Sequence, residues 1–200
     1  MAEVLELKDW VSAKSEGDLV EEEFVDHCID NGWTLMDLNA RFRDHNGAPI
    51  AKGHGKKITL PDYILSKQLH GSATSLPSLV AEVKSKEPVR SDGLYWLDEW
   101  RWDYFKRVCH QFGFAGLLVF KHKPYNIPNL DNFYCATLEH AEHNIESYEV
   151  GGPARNGRRS YCYKWDPDKF IPLKEFLTGE LVTPIRHPFL LKRNDEWISV

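Results

Sequence analysis

The sequence predicts an α/β (α+β) fold, with a central mixed β-sheet flanked by helices. Segments of helical and extended periodicity follow one another in the order helix, strand, strand, strand, helix, strand, and a mixed tail comes last. The 200 residues contain no internal repeat and no low-complexity linker. We therefore expect one domain over residues 1–200, with a core at about 17–120 and a C-terminal elaboration at about 121–200.

The first element is predicted to be a helix over residues 17–31. Val20, Phe24 and Cys28 recur every four residues and form one apolar ridge. Gly32 follows as a helix stop signal, and the next residues, 33–36, have the composition of a strand.

Two apolar segments that read as buried strands carry charged residues. ITLPDYIL, residues 58–65, contains Asp62, and LVAEVKSK, residues 79–86, contains Glu82 and Lys84. An unpaired buried charge costs several kcal/mol, so these residues require an explanation. They are surface-facing positions, a structural salt-bridge network, or a metal-dependent active site.

The second half of the chain starts with a predicted helix over residues 94–112, on which Leu97, Trp100, Tyr104, Val108 and Phe112 lie near helical spacing. We expect its tryptophans to belong to the core; stacking on bases is the alternative. The remaining predicted elements are strands at 113–120, 133–138 and 160–165 and a short helix at 172–177.

Composition limits the classes of function. The net charge of −5 argues against a non-specific polyanion binder, although local basic patches can still bind nucleic acid. Two Gly-containing basic loops, residues 52–57 and 155–159, suit phosphate contact or are ordinary solvated loops.

There is no apolar run long enough for a membrane span, the start lacks signal-peptide character, and the four cysteines are scattered. We therefore expect a cytoplasmic protein with reduced thiols.

The charged residues of the two segments are able to meet. Side chains alternate along a strand, so Glu82 and Lys84 point to the same face, and Asp62 on a neighbouring strand could join them. Two carboxylates with waters and phosphate oxygens suit Mg²⁺. The lysine would then hold a nucleophilic water beside that ion.

Pro61-Asp62 followed by Glu82-Val83-Lys84 resembles the signature of the PD-(D/E)XK nuclease superfamily, whose fold is restriction-endonuclease-like. The order of the predicted elements matches the α-β-β-β-α-β core of that superfamily. The helix over residues 17–31 is similar to the first helix of archaeal Holliday-junction resolvases, on which a glutamate completes the metal site. The resemblance covers residues 17–120.

The resemblance implies the roles of the site residues. Asp62 and Glu82 would bind Mg²⁺, for which Mn²⁺ would substitute, with the Val83 carbonyl as a further ligand. Lys84 would position the attacking water. Glu21 would bind a second ion or orient the waters of the first; it borders the apolar ridge of its helix, and Glu22 is the second choice. Glu23 is expected to be solvated, and a plain acidic first turn is the structural alternative.

The activity implied is that of a DNA endonuclease that leaves a 5′-phosphate. RNA cleavage and a non-catalytic nucleic-acid-binding or assembly subunit remain open alternatives. The tail at 121–200 offers a place for a protein partner, and many members of the superfamily are homodimers. The basic residues expected to contact phosphates are Lys56, Lys57, Lys86, Arg90, Arg158 and Arg159.

Other motifs are excluded. The Q-x-x-x-Y element of RecB-like exonucleases has no counterpart after Lys84, because Gln111 is followed four residues later by Ala115. His140 and His143 lack the spacing of a zinc metalloprotease motif. No phosphate-binding loop of the G-x-x-x-x-G-K-[ST] type occurs, so ATP hydrolysis is not encoded.

Overall fold

A computed structural model gives the arrangement of the chain. It describes residues 17–38, 50–53, 56–67, 78–86, 93–122, 132–153, 159–178, 181–182, 190–193 and 196–199. The predicted fold class is confirmed, because a six-stranded mixed sheet lies between layers that contain helices. None of the described helices is both long and apolar enough to cross a membrane.

The central sheet has the strand order β1-β4-β5-β7-β8-β11. All of its neighbouring pairs are antiparallel except β5 and β7, which run parallel along their full lengths. Parallel neighbours require a crossover, and the crossover here contains strand β6, Tyr95–Asp98, and helix α2, Glu99–Phe112. The strands are β1 Thr34–Asp37, β4 Tyr63–Ser66, β5 Leu79–Lys86, β7 Ala115–His122, β8 Phe133–Thr137 and β11 Ile171–Pro172.

Helix α1 covers residues 17–30. The predicted ridge is confirmed, since Val20, Phe24 and Cys28 are buried against the sheet. Gly32 has a φ of 77°, a left-handed conformation that glycine adopts without steric cost, and the chain turns there into β1.

The segment at 58–65 is two strands instead of one. Lys56–Thr59 forms β3, which pairs with β2, Ile50–Gly53, in a separate hairpin. The chain then bends at Asp62, and β4 begins at Tyr63. Pro61 provides the physical reason, because proline has no N–H to donate to a sheet.

The helix predicted at 94–112 begins later than expected. Residues Tyr95–Asp98 form β6, and α2 covers Glu99–Phe112. Tyr95 and Leu97 are buried while Trp96 is only partly so, which is the two-residue period of a strand. Strand β6 pairs with β10, Arg159–Trp165, which also pairs with β9, Ser147–Pro153.

The buried face of α2 also differs from the predicted one. Trp100 and Phe112 are exposed, whereas the helix buries Trp102, Phe105, Val108 and Cys109. The core assignment of the tryptophans therefore holds for Trp102 and is wrong for Trp100.

Helix α2 packs tightly on the central sheet at Gly116 of β7. A Cβ at this position would lie 2.8 Å from Cys109 Sγ, 2.9 Å from Phe105 Cζ and 2.9 Å from Leu138 Cβ. This spacing is closer than side chains tolerate, so only glycine permits the observed approach. The close contact fixes the position of α2 on the face of the central sheet opposite to α1.

The two faces of the sheet bury separate apolar clusters. One contains Phe24 of α1, Trp33 and Phe176 of α4 (Leu173–Thr178), and the other contains Trp102 of α2 and Trp165 of β10. The tail therefore contributes to both clusters. Its further elements are α3 Leu138–His143, α4 Leu173–Thr178, and a small sheet of β12 Leu181–Val182, β13 Leu190–Arg193 and β14 Glu196–Ser199.

Candidate functional site

Asp62 is held at the start of β4 by both backbone and side chain. Its N–H donates to the Ala81 carbonyl at 3.0 Å, and its own carbonyl accepts from the Leu38 N–H at 3.0 Å. Its Oδ2 accepts from the Val83 N–H at 2.7 Å, and the residue is buried. These bonds fix the carboxylate against β5.

Glu82 and Lys84 occupy alternate positions of β5 and share one face of the sheet. Ala81 and Val83 point to the other face, where they pack in the cluster that contains α1. Glu82 is 2% exposed, which is unusual for a carboxylate. The predicted meeting of Asp62, Glu82 and Lys84 is present in the structure.

Three oxygens converge on the ammonium of Lys84. Its Nζ lies 2.8 Å from Glu82 Oε1, 3.2 Å from Asp62 Oδ2 and 2.7 Å from the Val83 carbonyl oxygen. These are the two carboxylates and the carbonyl that the sequence proposed as metal ligands. The lysine therefore marks a point where a cation is surrounded by hard oxygen donors.

Arg101 is a site residue that sequence reasoning missed. Its Nη1 lies 3.5 Å from Glu82 Oε1, and α2 carries it to this position. Phe105 and Val108 follow it by four and seven residues, so helical periodicity places Arg101 at the border of the buried face. That border position was the available signal, but contact with Glu82 depends on how α2 crosses the sheet.

The site brings together two acidic side chains, Asp62 and Glu82, and two basic ones, Lys84 and Arg101. Burial, and then the neighbouring Asp62 carboxylate, raise the pKa of Glu82, while Lys84 and Arg101 oppose the rise. Burial alone would lower the pKa of Lys84, but the Asp62 and Glu82 carboxylates outweigh burial and raise it. Lys84 therefore remains an ammonium ion at neutral pH.

Glu21 approaches from the α1 face of the sheet. Its Oε2 accepts from the Tyr63 hydroxyl at 3.4 Å, and Tyr63 directly follows Asp62. Glu22 is exposed. Glu23 is not simply solvated as expected, because it forms an ion pair with Lys121 of β7. Within the described part of the chain, no group of three or more His, Cys, Asp or Glu side chains is assembled for a metal.

The predicted phosphate-contacting cations fall outside the described side chains. The backbone of Lys56 and Lys57 lies in β3, that of Lys86 in β5 and that of Arg159 in β10. Arg90 and Arg158 lie outside the described residues altogether.

The donor set fits a Mg²⁺ ion. Asp62 and Glu82 would supply carboxylate oxygens and Val83 a carbonyl oxygen, a donor set of the kind that Mg²⁺ takes together with waters. Because the Lys84 ammonium lies among these oxygens, it would have to move outward when the ion binds.

No family model matches the sequence, and no curated protein matches it. Among solved structures, the chain is similar to Archaeoglobus fulgidus Hjc, a Holliday junction resolvase from an archaeal hyperthermophile. The identity is 12%, the TM-score is 0.47, and the match covers 80% of this chain and 99% of the other. It is also similar to D212, a nuclease from a fusselovirus, with 12% identity, a TM-score of 0.38 and coverage of 88% and 87%.

Proposed function

We propose that this protein is a Mg²⁺-dependent nuclease that hydrolyses phosphodiester bonds in DNA as an endonuclease. The observation that carries the proposal is the convergence of Asp62 Oδ2, Glu82 Oε1 and the Val83 carbonyl around one cationic group. A structural salt bridge alone gives little reason to bury two carboxylates side by side, because desolvation offsets much of the attraction.

Each residue has a chemical role in this proposal. Asp62, Glu82 and the Val83 carbonyl would hold Mg²⁺, which would supply positive charge to the scissile phosphate and favour ionisation of the attacking water. Lys84 donates a hydrogen bond to that water and orients it. Glu21 orients waters at the α1 side of the site.

Arg101 contributes positive charge and position. Its guanidinium lies beside Glu82 and opposes the rise in the pKa of that carboxyl, so Glu82 is more readily ionised for metal binding. With 28% of its side chain exposed, Arg101 also reaches the surface where a phosphate would approach.

The reaction is an in-line displacement at phosphorus. A bond forms between the water oxygen and phosphorus as the bond to O3′ breaks, and a water proton is passed to O3′ through solvent. The products are a 5′-phosphate, as the resemblance to the superfamily implies, and a 3′-hydroxyl.

A cleavage assay tests the proposal. Plasmid, linear duplex, branched DNA and RNA are incubated with the protein and Mg²⁺ or Mn²⁺, and with EDTA as the metal-free control. We expect metal-dependent cleavage of DNA that falls at least about 100-fold in Asp62→Ala and Lys84→Ala. Lys106→Ala is the matched control, because Lys106 also forms a carboxylate ion pair, with Glu142, away from the site.

Equal cleavage by the parent and both site variants would refute the assignment. Preferential cleavage of RNA would change the proposed substrate from DNA to RNA and leave the proposed reaction and site residues unchanged. Failure of Mn²⁺ to bind in calorimetry would instead favour a non-catalytic role.

A further inference from the structure

Helix α2 carries a stripe of aromatic and basic side chains at the surface, which we call the α2 stripe: Trp100 and Arg107, which are exposed, and Arg101 and Tyr104, which are half-buried. Trp100, Tyr104 and Arg107 follow one another at spacings of four and three residues and so share one side of the helix. The buried residues of α2 lie on the other side. Trp100 is 47% exposed, a large aromatic surface left in contact with water.

Cations and rings alternate along the α2 stripe. The Arg101 guanidinium lies 4.7 Å from the centroid of the Trp100 ring, and that of Arg107 lies 5.9 Å from the Tyr104 ring. The two rings are 6.1 Å apart and meet edge to face at 76°. These contacts restrict the orientations open to the two rings, which reduces the conformational entropy lost when a ligand binds.

The α2 stripe begins at the active site. Arg101, which contacts the Trp100 ring, also has its Nη1 3.5 Å from Glu82 Oε1. One side chain thus links the proposed metal ligands to the exposed rings. A ligand that lies on Trp100 would therefore be adjacent to the scissile phosphate at the proposed metal site.

The two arginines of the α2 stripe carry a charge that is complementary to a polyanion. Of the acidic residues of α2, Glu99 accepts a hydrogen bond from Tyr148, and burial and then the charge of Asp103 raise the pKa of Tyr163. The backbone of β3 lies against α2 and carries the sequence positions Lys56 and Lys57. Arginines beside aromatic rings are the combination with which proteins bind single-stranded nucleic acid.

We propose that the α2 stripe binds unpaired nucleotides of DNA directly next to the scissile phosphate, so that the substrate has single-stranded character beside the cut. In a duplex both faces of each base are covered by neighbouring bases, so a protein ring can stack only on an unpaired one. Trp100 and Tyr104 stack on bases, while Arg101 and Arg107 contact the phosphates. This inference rests on the proposed nuclease function and adds the form of its substrate.

Binding without cleavage tests the inference. A fluorescein-labelled single strand of about 12 nucleotides and the matching duplex are titrated with the full chain in EDTA, and anisotropy is recorded. We expect the parent to bind the single strand more tightly than the duplex. Trp100→Ala should weaken single-strand binding about tenfold and duplex binding less than about threefold, whereas Trp100→Phe should restore most of the loss. Tyr104→Ala provides a second, independent variant.

Phe112→Ala is the matched control, since Phe112 is an exposed aromatic residue of the same helix, 54% exposed, and lies near Phe114 instead of the site. It should bind both DNAs as the parent does. Thermal unfolding of each variant, measured by circular dichroism, checks that the exposed substitutions leave the fold intact.

Three results would overturn the inference: equal parental affinity for both DNAs, an equal loss on both in Trp100→Ala, or an unaltered single-strand affinity in both Trp100→Ala and Tyr104→Ala. An unaltered single-strand affinity in both variants would instead favour a protein as the ligand of the α2 stripe. Lys84→Met separates this inference from the proposed function. If that variant cleaves as the parent does while Trp100→Ala loses single-strand binding, the nuclease assignment fails and the binding surface stands.

Discussion

Asp62 Oδ2 accepts a hydrogen bond of 2.7 Å from the backbone N–H of Val83. Val83 lies between Glu82 and Lys84, so this one bond places the Asp62 carboxylate beside the side chains of those two residues. A strand cannot shift its register without breaking the bond and moving every side chain to the other face. The three site residues are therefore positioned by the sheet itself, before any ligand binds.

Lys84→Met should separate metal binding from catalysis. The ammonium now lies among the three oxygens that would hold the ion, so its removal is expected to strengthen Mn²⁺ binding, measured by calorimetry. Cleavage should nevertheless fall at least about 100-fold, since the group that orients the water is gone. A variant that binds Mn²⁺ more weakly than the parent would contradict this use of Lys84.

The same variant should make stability depend on metal. Without Lys84, the buried Asp62 and Glu82 carboxylates lose a close counter-charge. Removal of one partner of a buried ion pair typically lowers the free energy of unfolding by about 3–5 kcal/mol. In EDTA, the free energy of unfolding of Lys84→Met should be lower than that of the parent by an amount of this size. Saturating Mn²⁺ should restore much of the loss, because a ligand that binds only the folded state stabilises that state. Urea titrations with and without Mn²⁺ measure the difference.

Metal binding should weaken as the pH falls. Burial and the Asp62 carboxylate raise the pKa of Glu82 above its ordinary value of 4.5, so a proton competes with the ion at higher pH than for an exposed glutamate. The Mn²⁺ dissociation constant should therefore increase as pH decreases through this raised pKa. Arg101→Gln removes a group that lowers this pKa, and the transition should move to higher pH. Calorimetry over a pH series locates both transitions, and an unmoved transition in Arg101→Gln would contradict the role of the guanidinium.

Glu21→Gln and Glu22→Gln distinguish the two helix glutamates. Glu21 accepts a hydrogen bond from Tyr63, the residue that follows Asp62 in the chain, whereas Glu22 is exposed. We expect Glu21→Gln to lower cleavage by about tenfold or more and Glu22→Gln to leave it unchanged. Cleavage rates at saturating Mg²⁺ decide between them, and equal rates in both variants would remove Glu21 from the site.

Gly116→Ala should destabilise the protein. The added Cβ would meet Cys109, Phe105 and Leu138 within 2.9 Å, so α2 would have to move away from β7. Overpacking of this kind costs about 1–3 kcal/mol. Gly17→Ala is the control, because nothing lies within 4 Å of its Cβ position. Urea denaturation compares the two, and equal stability would show that α2 is less tightly packed than its contacts indicate.

The four cysteines should react slowly in the native protein. All are free and buried, and burial raises the pKa of Cys28 and of Cys109 to about 12. Thiolates are the reactive species, so at about pH 8 almost none of these two thiols is available. Titration with a chromogenic disulfide should find few fast-reacting thiols in the native protein and four after denaturation. Rapid reaction of all four without denaturant would contradict the packing.

Local patterns predicted much of the fold and part of the site. The four-residue ridge of α1 identified its buried face, and the two-residue alternation of β5 placed Glu82 and Lys84 together. Both patterns depend on neighbours in the chain and can be read without knowing what packs against them. Leu97 has near-helical spacing with Trp100, but it lies in a strand because β6 pairs with the distant β10.

By itself, the sequence determined that Glu82 and Lys84 lie on one face of an apolar strand, because strand alternation is a property of the backbone. Only the tertiary structure decided that Arg101 contacts Glu82 and that Trp100 stays exposed beside the site. Both facts depend on the angle and depth at which α2 crosses β7 over Gly116. That crossing is set by packing between residues far apart in the chain, which no local period encodes.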